Sequence, residues 1–101
     1  MLTFERVLEV FADYLAADEE VDVVLTRHGY AYLTWDGQLR NWQSVESCVT
    51  PEELLDRLTD AVETYEALKL LKGAREATDA EAAAFAKTAG AYRKRCLERQ
   101  D

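Results

Sequence analysis

Two near-copies of one turn signal, Thr26-Arg27-His28-Gly29 and Thr34-Trp35-Asp36-Gly37, stand eight residues apart. The residues around them alternate at period two, the pattern of half-buried strands. Reversals that close together leave no room for a crossover, so the strands must pair as antiparallel neighbours. Strands are expected at 21–26, 30–35 and 38–44. If each turn is type I followed by a left-handed glycine, Gly29 and Gly37 each mark a bulge. Thr26 then pairs with Tyr30, and Leu33 with Leu39. That register collects Val21, Val23, Leu25, Ala31, Leu33 and Leu39 on one aliphatic face. The other face receives Asp22, Val24, Thr26, Tyr30, Tyr32, Thr34, Arg40 and Trp42. A two-residue turn at either site would send a strand's side chains to the opposite face. Trp35, at a turn position, is expected to lie over the edge of the core.

Helices flank this meander. Phe4, Val7, Leu8, Phe11 and Leu15 recur at helical spacing and define a helix over 3–17 with Thr3 as N-cap. The next helix, 51–72, has the sharpest boundary: Thr50 as N-cap, Pro51 at N1, Glu53 closing a capping box and Val49 stapled to Leu54. Its buried stripe is Leu54, Leu58, Ala61, Val62, Tyr65, Leu68 and Leu71, with Gly73 as C-cap. A second capping box, Thr78 with Glu81, opens a helix over 79–99 with Ala82, Phe85, Ala89, Tyr92 and Cys96 on its apolar side. Gly90 costs that helix about 1 kcal/mol relative to alanine and marks a place to bend. The expected fold is one α+β domain over 1–101, in the order α-β-β-β-α-α, with a three-stranded antiparallel meander packed on helices. Whether helix 79–99 covers the aromatic sheet face or packs on helix 51–72 stays open.

A chain of 101 residues can bury one modest core without a staple. Its two cysteines, Cys48 and Cys96, read as reduced and structural. One histidine and two isolated thiols supply no metal cluster, and neither a glycine-rich phosphate loop nor a nucleophile–base pair appears. The expectation is therefore a protein without catalytic residues, metal or cofactor. No apolar run reaches the length of a membrane span, and the start has acids and no signal-peptide pattern, so a cytoplasmic protein is expected.

The formal charge of −8 is unevenly spread. Residues 1–66 hold fifteen acids against four bases, whereas 67–101 hold five against eight. A surface so negative repels nucleic acid and anionic membranes and speeds encounter with basic partners. On helix 51–72, Glu52, Asp56, Asp60, Glu63 and Glu66 share one sector, five carboxylates over about 21 Å. That spacing approaches the charge density of one DNA strand, about one per 3.4 Å. A solvated, solubilising face is the plain account of this stripe. The sharper account is mimicry of a phosphate backbone in a basic cleft, with Asp13, Asp18, Glu19, Glu20 and Asp22 extending it if they lie on the same side.

A second candidate surface is the aromatic sheet face, Tyr30, Tyr32, Arg40 and Trp42, since aromatics and arginine dominate binding hot spots. It could equally be covered by the last helix or join two copies as a homodimer. Stacking of single-stranded nucleic acid on it would need a positive groove, and carboxylates surround it instead. The basic end, from Tyr92 to Arg99, suits the negative end of a helix dipole.

The opening MLTFERVLEVFADYL, with a strand-rich middle and an Ala/Glu/Arg-rich tail, resembles small uncharacterised accessory proteins of conjugative, mobile elements in Gram-positive bacteria. The α-β-β-β-α order also matches the double-stranded-RNA-binding domain, but Pro51-Glu52-Glu53 stands where that family grips phosphate with lysines. In topology and acidity the chain is similar to a type II anti-CRISPR family that imitates the DNA read by an RNA-guided nuclease. No motif is shared, so no functional residue carries over. The resemblance implies an acidic inhibitor of a basic, nucleic-acid-binding protein; the alternative is an assembly module dimerised through the sheet.

Overall fold

A computed structural model describes residues 1–98 and has the expected α+β architecture. Helices α1 (Phe4–Val10) and α2 (Ala12–Ala17) precede strands β1 (Val21–Thr26), β2 (Gly29–Asp36) and β3 (Asn41–Cys48). Helices α3 (Pro51–Leu71) and α4 (Asp79–Leu97) follow. The strands form one antiparallel sheet in chain order. The molecule measures 40 × 36 × 18 Å, the thinness of one sheet on one layer of helices. Position 99, the expected end of the last helix, lies outside the described residues.

The expected helix 3–17 is two pieces that meet at Phe11 (φ −89°, ψ 7°). Hydrogen bonds from Phe11 N–H to Val7 O and from Leu15 N–H to Phe11 O keep the halves nearly continuous. Phe11 is fully buried and stacks on Tyr92 of α4 at 4.9 Å. Thr3 caps α1 as expected, accepting from Arg6 N–H. The Arg6 guanidinium then donates to Arg95 O near the end of α4, tying the first helix to the last. α4 thus packs on α1 and α3, which settles its placement away from the uncovered sheet face. It runs unbroken through Gly90.

The sheet register differs from the expected one. Gly29 does adopt positive φ (106°), but Thr26 pairs with Gly29 and Leu25 with Tyr30, so the loop is the two residues Arg27 and His28. The Thr26 hydroxyl fixes this tight turn by donating to Gly29 O and accepting from His28 N–H. The one-residue change moves every β2 side chain to the other face. Tyr30, Tyr32 and Thr34 therefore join Val21 and Val23 toward the helices. Ala31 and Leu33 turn outward with Val24, reversing the expected assignment.

The second turn also departs from expectation. Asp36 pairs with Asn41 across a four-residue loop, and Leu33 faces Val45 rather than Leu39. The Asp36 carboxylate accepts from Gln38 and Leu39 N–H, and Arg40, not Gly37, is left-handed (φ 53°). Between Thr34↔Ser44 and Trp35↔Trp42 β3 carries one extra residue, Gln43, a bulge that rotates Trp42 onto the side of Trp35.

α3 starts where the sequence places it. Thr50 accepts from Glu53 N–H, but the Glu53 carboxylate reaches back to Val49 N–H, and Val49 stays exposed instead of stapling. Leu54, Leu55, Leu58, Ala61 and Val62 are buried, whereas Leu68, assigned to the same stripe, is 55% exposed. The far half of α3 is uncovered on its sheet side. Lys72 and Gly73 both take left-handed φ (52° and 72°) to end the helix.

The capping box of Thr78 and Glu81 is complete, and Arg75 clasps the Glu81 carboxylate at 2.7 and 2.8 Å across the α3–α4 loop. The Arg75 bond and the Thr78 backbone hold the Glu81 carboxyl down to about 2 from 4.5. A depressed carboxyl pKa adds stability that is fully present above the unfolded value and vanishes as pH falls through the folded one. Glu81→Gln is therefore expected to lower the melting temperature at neutral pH. In thermal melts across pH, the gap from wild type should hold above about 4.5 and close toward about 2.

Candidate functional site

The turn at Arg27-His28 delivers Tyr32 and Thr34 to the inner sheet face, opposite the uncovered half of α3. Between them lies a groove of about 590 Å³, within the usual size range of ligand pockets. Val21, Tyr32, Ala61 and Leu68 line its floor, and the Tyr65 ring stands on its α3 wall. Asp18, Glu19 and Glu20, on the α2–β1 junction, border it, as do Asp60 on α3 and Glu46 on β3. Two cations, Arg57 and Lys69, also line it.

These charges are not equivalent. Asp18 is engaged internally: one oxygen accepts from the Tyr14 hydroxyl at 2.6 Å, the other from Glu20 N–H at 3.0 Å. Glu46 pairs with Arg57 at 2.7 Å. Among the described residues Glu19, Glu20 and Asp60 make no ion pair, so the rim is negative toward solvent. Burial pushes the Tyr14 hydroxyl well above its ordinary value, and the Asp18 carboxylate adds to the effect. Tyr32 is raised chiefly by burial, with Asp18 and Glu46 contributing and Arg57 opposing. Both phenols stay protonated near neutrality and act as hydrogen-bonding walls.

The outer sector of α3 carries the predicted stripe in modified form. Asp56 pairs with Arg93 of α4 at 2.6 Å and Glu66 with Lys69 at 3.4 Å. Among the described residues Glu52 and Glu63 remain without ion pairs, and Asp60 sits where the sector meets the groove. Asp18, Glu19 and Glu20 thus do lie beside the acidic helix, joined to it by the groove.

The predicted aromatic patch does not form. Tyr30 packs on Phe4 of α1, with ring centroids 4.7 Å apart, and Tyr32 enters the groove. Arg40 occupies the exposed loop between β2 and β3. Only Trp42 is on the open face, 42% exposed and edge-on to Trp35 at 4.9 Å. Around this pair Val24, Ala31, Leu33 and Val45 make an apolar layer that none of the described helices covers, with Asp22 beside Leu33. Ala31 and Leu33 are nearly buried yet sit apart from the main core, and Val45 is 63% exposed.

Sequence reasoning missed both the groove and the composition of that open face. Tyr65 and Leu68 were visible as a helical stripe, but periodicity cannot tell a covered stripe from one lining a cleft. Nothing in the sequence joins Glu46 to Arg57.

Cys48 and Cys96 are buried and unpaired, and burial raises both thiols, which makes them inert rather than nucleophilic. Among the described residues, no group of three or more His, Cys, Asp or Glu is placed to hold a metal ion, and no helix is long and apolar enough to cross a membrane. Comparison with protein-family models, curated proteins and solved structures gives no match.

The Tyr14–Asp18 bond holds the junction carrying Glu19 and Glu20. A hydrogen bond to a charged acceptor is worth about 1.5–3 kcal/mol. Tyr14→Phe should lower the free energy of unfolding in urea by an amount near the bottom of that range, with the m-value unchanged.

Proposed function

We propose that this chain is a non-catalytic binding protein whose acidic surface docks into a basic cleft of a partner protein. The supporting observation is the convergence of Asp18, Glu19, Glu20 and Asp60 on one groove, with Glu52 and Glu63 on the same helix as Asp60. Carboxylates drawn from two distant segments form a single negative field there, which steers association with cationic surfaces. A cleft that ordinarily grips nucleic-acid phosphates fits this charge, so inhibition by imitation of DNA is the form of the proposal. Neutralisation of Asp56 and Glu66 shifts its centre from the helix stripe toward the groove.

The test is binding to a panel of purified nucleic-acid-binding proteins, with competition by duplex DNA. A true target should be displaced from its DNA by this chain. Its affinity should fall at least about tenfold between 50 and 300 mM salt, as expected for several released counterions. An affinity indifferent to salt, or a complex that leaves DNA bound, contradicts the proposal.

The open face supports a second reading, an assembly module joined through two copies of the sheet. Val24, Trp35, Trp42 and Val45 form a largely apolar surface on a strongly acidic molecule, with Asp22 as its acidic member on β1. On this reading light scattering gives a dimer mass at low and high salt alike, and Trp42→Ala returns the monomer. A monomer at every salt concentration removes it.

A further inference from the structure

The groove is more than a part of the negative field, because its floor is apolar and aromatic and its rim is anionic. Tyr65 already carries a cation: Lys69 Nζ lies 5.3 Å from the ring centroid while pairing with Glu66. Lys69 reaches this position from the mouth, next to exposed Leu68. The ring at the groove wall therefore accepts a positive group, and an apolar side chain has Leu68 and Val21 to pack against. From Arg57 to Lys69 the α3 wall runs about 18 Å, the length of about five extended residues.

We infer that the groove between the sheet and α3 is a docking site for a short extended segment of a partner protein in which basic and apolar residues alternate. A basic side chain displaces Lys69 from the Tyr65 ring and meets Glu19, Glu20 and Asp60 at the rim. Its apolar neighbour covers Leu68 and Val21. Alternation follows from the chemistry of the two sides: successive side chains of an extended segment point opposite ways, one toward the anionic rim and one toward the apolar floor. This deepens the acidic-docking proposal and rests on it, since it names where and what the partner contributes.

The experiment is fluorescence anisotropy with dye-labelled hexapeptides that alternate Arg with Leu, Arg with Gly, or Glu with Leu. The Arg-Leu peptide should bind and the Glu-Leu peptide should not. Arg-Gly should bind more weakly by about tenfold or more, given the apolar surface it leaves uncovered. Glu19→Lys with Glu20→Lys should weaken Arg-Leu binding about three- to tenfold or more, whereas Glu52→Lys with Glu63→Lys on the outer sector should not. Lys69→Gln should tighten binding by freeing the ring, while Lys72→Gln, just past the end of α3, leaves it unchanged. All of these positions are on the surface, and circular dichroism confirms folding of each variant. Equal binding of Arg-Gly and Arg-Leu, or loss confined to the outer-sector pair, overturns the groove but leaves acidic docking standing. No binding of either cationic peptide likewise overturns the groove, while acidic docking is decided separately by the displacement of a target protein from its DNA.

Discussion

Everything that distinguishes the two faces of this protein depends on one short pairing, Thr26 with Gly29. The Thr26 hydroxyl holds both ends of the Arg27-His28 turn, and with that the register of β2 is fixed. Tyr30 then meets Phe4 and anchors the sheet to α1, and Tyr32 becomes a wall of the groove. A register one residue longer would turn the tyrosines to the open face and Ala31 and Leu33 toward the helices. The bulge at Gln43 acts in the same way on β3, bringing Trp42 to Trp35 and away from the helices.

Where local chemistry decides the outcome, the sequence was legible. Thr50-Pro51 and Thr78 with Glu81 mark helix starts because their side chains satisfy nearby N–H groups whatever the rest of the chain does. The order of elements and the antiparallel meander also follow from local spacing. The sheet faces did not, because a glycine at positive φ is compatible with either turn length, and the choice lies in a hydroxyl's two hydrogen bonds. The apolar stripe of α3 could be read as a stripe, but its length exceeds what the sheet covers, which leaves Leu68 exposed. As for the candidate sites, the acidic residues were recognisable by spacing on α3 and by clustering at 18–20. Their convergence is a property of the tertiary fold.

The division of charge in the sequence acquires a structural meaning. The basic end of α4 is partly used internally: Arg93 neutralises Asp56, and Arg95 O accepts from Arg6. Exposed ion pairs of this kind contribute little stability individually, but they decide which carboxylates remain free. Among the described residues, those without an ion pair include Glu52 and Glu63 outside, and Glu19, Glu20 and Asp60 around the groove. The result is a thin molecule with a negative, cleft-bearing edge and a largely apolar back. The proposed docking and assembly roles use these separate surfaces, so they do not exclude each other.

The register is the claim on which the groove and the open face both stand, and nuclear Overhauser contacts of the Tyr32 ring test it most directly. The account predicts contacts from Tyr32 to the Val23 side chain across the strand pair and to side chains of the helical core. Contacts from Tyr32 to Val24 and Trp42, with none to α3, would contradict it and dissolve the groove.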